Sequence, residues 1–110
     1  MTIDFTHELL DLDDHKIKDE IAMQANGGKP VSLTLGRACA HALCATFEDE
    51  RNLSGEEKFQ RGMLAVEVRD NAAAELKAEK VTQLKKVLAK LYGPIVIYRA
   101  YPLLDPQEKG

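Results

Sequence analysis

The chain of 110 residues is the size of one small domain, with a net charge of −3, no Trp and two cysteines. Its acidic balance excludes a general attraction to nucleic acid or anionic membrane and leaves only local basic patches. It has no apolar run of the roughly 20 residues that span a bilayer. The start Met1-Thr2-Ile3-Asp4-Phe5 has neither the basic nor the apolar region of a secretory signal, so a cytoplasmic protein is expected.

Residues 3–10 partly alternate apolar and polar side chains, and Asp11 to His15 is rich in turn formers. Lys16 to Ala22 reads as the returning strand of an N-terminal β-hairpin. That reading is preferred to a helix over Asp14–Gln24, although Ile17, Ile21 and Ala22 also fit helical spacing. Asn26-Gly27-Gly28-Lys29-Pro30 is the clearest loop. Thr34 is placed to cap a helix over Leu35–Phe47, with Leu35, Ala38, Cys39, Ala42, Leu43 and Thr46 facing inward. On that helix Cys39 and Cys44 diverge by about 140° and are roughly 7.5 Å apart along the axis. Both are therefore expected reduced, Cys39 inside and Cys44 outside.

Ser54 and Glu57 form a capping box, which starts a second helix running from Gly55 to about Asn71. This helix carries two apolar sets. Phe59, Gly62, Met63 and Val66 are expected to face the core. Leu64 and Val68 form a ridge on roughly the opposite side, expected to meet another element or a second chain. Residues 72–77 contain no clear breaker and are expected to continue the second helix or to form a turn. Val81, Leu84, Leu88 and Leu91 recur at helical spacing and define a third helix. Tyr92-Gly93-Pro94 is expected to end it, with Gly93 in the left-handed position. A short helix is expected over Pro94–Tyr101, stopped by Pro102, and 105–110 reads as a flexible tail beyond a single domain over 1–104.

No residue set carries recognisable chemistry. His41 and Cys44 are three apart, but a zinc site needs further ligands at characteristic spacing. A cysteine nucleophile there would lack an oxyanion site. Asp11, Asp13 and Asp14 lack the rest of a calcium loop, and Gly27-Gly28-Lys29-Pro30 lacks the spacing of a phosphate loop. No catalytic, metal or cofactor residue is assigned. Lys77, Lys80, Lys85, Lys86 and Lys90 make the third helix basic, with Lys86 and Lys90 facing away from its apolar stripe.

The succession Leu10-Asp11-Leu12-Asp13, Thr34-Leu35-Gly36, Leu53-Ser54-Gly55-Glu56-Glu57-Lys58-Phe59 and Tyr92-Gly93-Pro94-Ile95-Val96 covers most of the chain. It resembles small, mostly uncharacterised proteins of tailed bacteriophages and prophages. The resemblance implies phage origin and the cytoplasm of a bacterial host. Lys77, where a capping side chain is expected, and Pro102 depart from that pattern.

The expected fold is α+β, an N-terminal β-hairpin packed on three or four helices. The expected function is a non-catalytic phage interaction module, such as an assembly factor or chaperone. Its interaction candidates are Leu64, Val68, Lys86 and Lys90, with a protein partner or a second copy favoured over nucleic acid and no membrane. The alternative is a phage regulator or host-takeover protein that binds a host protein or nucleic acid through the lysine-rich helix.

Overall fold

In the computed structural model, which describes residues 2–105, helices predominate and one two-stranded antiparallel sheet accompanies them. The fold is α+β. Strand β1 (Thr2–Ile3) pairs with β2 (Ala74–Glu75), Thr2 opposite Glu75 and Ile3 opposite Ala74. Residues 72–77, which carry no sequence breaker, thus hold a strand set by a remote partner. Asn71 prepares it: its side chain donates to the Glu67 carbonyl at 3.2 Å and accepts from Ala73 N–H at 3.0 Å.

The N-terminal hairpin is present only around its turn. Leu10 bridges Lys16, but two further bridges, Lys18 to Ser32 and Glu8 to Thr34, bring in a third segment. Leu9 N–H donates to the Leu33 carbonyl, Leu33 N–H to Ile17 and Ile17 N–H to Leu9, at 2.8, 2.7 and 3.0 Å. Each segment therefore pairs with both others in a closed ring. The expected return strand stops at Asp19. There the carboxylate accepts Ala22 N–H at 3.0 Å and starts helix α1 (Glu20–Ala25). The strand reading fits the first part of Lys16–Ala22 and the helical reading the last part. Gly27 and Gly28 then take φ of 66° and 82°, conformations open to glycine.

Helix α2 (Leu35–Cys44) begins with Thr34 accepting Arg37 N–H at 3.1 Å. It ends three residues short of Phe47, because Ala45 turns to extended backbone and a 3-10 turn follows at Glu48–Glu50; Thr46 lies exposed. Helix α3 (Gly55–Val68) has the full capping box, Ser54 Oγ accepting Glu57 N–H at 3.1 Å. Helix α4 (Ala78–Leu91) starts at Lys77, which supplies no side-chain cap.

Two expectations near the C-terminus are corrected. Gly93 has φ of −86°, outside the left-handed region, and sits at the N-cap of α5 (Pro94–Leu104). That helix also runs through Pro102 instead of stopping before it. Pro102 has no N–H for the Tyr98 carbonyl, a defect of about 3 kcal/mol in a helix interior. Full burial of Ala100 and Leu104 offsets it, as does the bond from Tyr101 Oη to the Lys85 carbonyl at 2.9 Å. Asp105 N–H closes the helix on the Tyr101 carbonyl; the rest of the expected tail lies outside the described residues.

Helix α2 lies at the centre, with α3 and α4 packed against it and α5 against α4. Its small side chains permit close approach. A Cβ at Gly36 would stand 2.4 Å from the Val68 carbonyl oxygen and 2.3 Å from that of Arg69. Buried Phe5, Leu9, Leu35, Leu84, Leu88 and Leu104 belong to one hydrophobic cluster around these contacts.

Candidate interaction surface

The two apolar sets of α3 occupy opposite faces, with their expected roles exchanged. Leu64, Ala65 and Val68 are buried. Phe59, Met63 and Val66 are 63%, 57% and 81% exposed. The close approach at Gly36 explains the choice. The backbone that touches α2 is that of Val68 and Arg69, at the C-terminal end of the Leu64–Val68 ridge, and side chains as large as Phe59 and Met63 on that face would hold the two helices apart. An element of this chain, α2, therefore covers the Leu64–Val68 ridge, and neither residue is available to a partner.

The outer stripe recurs at helical spacing and is continuous. Phe59, Gly62, Met63 and Val66 alone line a shallow open cavity of about 590 Å³. Beside it a groove of about 480 Å³ runs between α2 and α3, where Arg37, His41, Cys44 and Arg69 join Gly62 and Val66. Isolated exposed apolar side chains are ordinary on a protein surface; a contiguous stripe makes this face the candidate contact surface.

His41, which lines the groove, is tied into the fold. His41 Nε2 lies 2.9 and 3.1 Å from the two carboxylate oxygens of Asp19, itself only 2% exposed. That pair fastens α1 to α2 and was not legible in the sequence, since 22 residues separate its members. Burial and the Asp19 carboxylate push the nearby Tyr92 hydroxyl up to about 12. Cys39 is buried and Cys44 exposed, both as free thiols, and burial pushes the Cys39 thiol up. Among the described residues no hydrogen bond joins His41 to Cys44, and no group of three or more His, Cys, Asp and Glu is placed to hold a metal ion.

The lysine-rich helix is partly neutralised from within. Lys90 Nζ lies 2.9 Å from Asp49 and 3.1 Å from Glu50, and over the Phe47 ring. Glu50 also receives both terminal nitrogens of Arg61, at 2.9 and 2.6 Å. Those bonds, with Lys90 behind them, hold its carboxyl down at about 2. Lys85 lies over the Tyr101 ring and 3.9 Å from Asp105. Of the two lysines singled out from the sequence, Lys86 faces solvent and Lys90 staples α4 to the 3-10 turn.

No family model, curated protein or solved structure matches this chain. No helix among the described residues is long and apolar enough to cross a membrane.

Proposed function

We propose that the protein is a non-catalytic interaction module and that the outer face of α3 is its contact surface. The observation that carries this reading is the exposure of Phe59, Met63 and Val66 on one helical stripe, joined through Gly62. Three large apolar side chains left in water forgo about 1.5–3 kcal/mol each relative to burial, which a protein partner would recover. Assignment to a phage or prophage, with an assembly or chaperone role in the host cytoplasm, rests on the sequence resemblance alone. The rival reading, nucleic acid or a host protein on the lysine-rich helix, is weakened because Lys85 and Lys90 already face acidic groups of this chain.

The test is to express the tagged protein in a bacterial host and follow its native complex by gel electrophoresis. Phe59→Ser with Met63→Ser is expected to leave the protein folded and to abolish the complex. A complex that persists unchanged contradicts the assignment of this face.

A further inference from the structure

We infer that the outer face of α3 binds the same face of a second copy of this chain, the two α3 helices lying parallel about a two-fold axis. The inference rests on the reading of that face as an interaction surface and names its occupant.

Phe59, Gly62, Met63 and Val66 stand at positions i, i+3, i+4 and i+7 of one helix. Four such residues form the hole that receives a side chain from a facing helix in knobs-into-holes packing. Here the hole exists as a cavity lined by those four residues alone. Gly62 leaves it open, since a Cβ added there would meet no atom within 4 Å. Glycine inside a helix weakens it, and nothing within this chain requires one at this position. An incoming side chain does. In a parallel two-fold pair the residue at the same height is Met63 of the second copy, unbranched and adaptable enough to fill the hole.

Charge selects the parallel arrangement. At about 100° per residue around the helix, the stripe is bordered on one side by Glu56, Gln60 and Glu67. On the other side stand Lys58 and Arg69, with Arg37 of α2 near Arg69 across the groove; Asp70, 3.3 Å from Arg69 and 3.9 Å from Arg37, offsets part of that charge, so Lys58 is the main basic group of this border. A two-fold axis along the helix sets each acidic border against the basic border of the other copy. A two-fold axis across the helices sets acidic against acidic and basic against basic, which is repulsive. The exposed stripe offers on the order of 350 Å² per copy. With its borders the interface reaches on the order of 1,000 Å² in total, the low end for a specific contact, so the pairing is reversible.

Sedimentation of the purified chain over on the order of 1–500 μM should show a monomer passing to a dimer. Met63→Glu changes an exposed position, and Gly62→Glu a half-buried one where an added Cβ meets no atom within 4 Å. Each should keep its circular dichroism and lose at least about tenfold in dimer affinity. Lys58→Glu with Arg69→Glu gives one variant acidic on both borders. Glu56→Lys with Glu67→Lys gives another, basic on both. Each alone should stay monomeric, and the two mixed should pair. A parent that stays monomeric throughout overturns the inference, as do border variants that dimerise like the parent or fail to pair when mixed. The interaction reading itself falls separately, when the cellular complex survives loss of Phe59 and Met63.

Discussion

Helices α3 and α4 have 14 residues each and both pack on α2, yet they treat their outer faces differently. Helix α4 buries Val81, Leu84, Val87 and Leu88 and turns a polar side outward, with Lys85 and Lys90 at its margins facing acidic groups of the same chain. Its Leu91 is the exception at the last turn. Helix α3 buries only Leu64, Ala65 and Val68 and leaves Phe59, Met63 and Val66 in solvent. In the basic helix, the more conspicuous in composition, Lys85 and Lys90 are accounted for by the fold. The exposed stripe of α3 is not, so function is sought there.

The sharpest way to break this contrast is to place one charge on each face of α3. Leu64→Asp puts a carboxylate in a site 4% exposed and should cost about 3–5 kcal/mol, enough to unfold much of the protein. Met63→Asp should change stability by less than about 1 kcal/mol when measured at dilution. Denaturant unfolding of the two variants reads both effects. Equal losses would mean that the outer stripe is also core.

Two glycines extend the comparison. Gly36→Ala pushes a Cβ into the Val68 and Arg69 carbonyls and should destabilise by about 3 kcal/mol, because backbone must move. Gly62→Ala meets open space and should stabilise by about 0.5–1 kcal/mol through helix propensity. Thermal unfolding distinguishes them by sign.

A pH-dependent effect of similar size concerns the staple behind α4. Glu50 has its folded pKa lowered to about 2 by Arg61 and Lys90, below the ordinary glutamate value of about 4.3. Its contribution is fully present above the ordinary value and is lost as pH falls from about 4.3 towards 2. Discounted for solvent screening, it is on the order of 1 kcal/mol. Glu50→Gln should therefore lower stability at pH 7 and flatten this part of the acid-unfolding curve. An unchanged curve would mean that the staple contributes nothing.

Local signals in the sequence were reliable where one residue governs one bond. Ser54 with Glu57, Thr34, and the opposite directions of Cys39 and Cys44 were all legible. Remote partners were not. Strand β2 depends on Thr2 and Ile3, and the buried Asp19 depends on His41. Pro102 also misled, because the stop signal of a proline yields when Leu104 beyond it is fully buried. For α3 the two apolar sets were legible but their directions were not. Periodicity gives the angle between faces, whereas Gly36, which lets the helices touch on the Leu64–Val68 side, fixes which one turns inward.

The most direct test of the account compares the two helices in the cell. A photoreactive residue is introduced at Val66 on α3 or at Lys86 on α4, both exposed, and irradiated during expression in a bacterial host. Position 66 should give a discrete protein adduct, lost when Met63→Glu is added, and position 86 should give none. A discrete adduct from position 86 with none from position 66 would contradict the account.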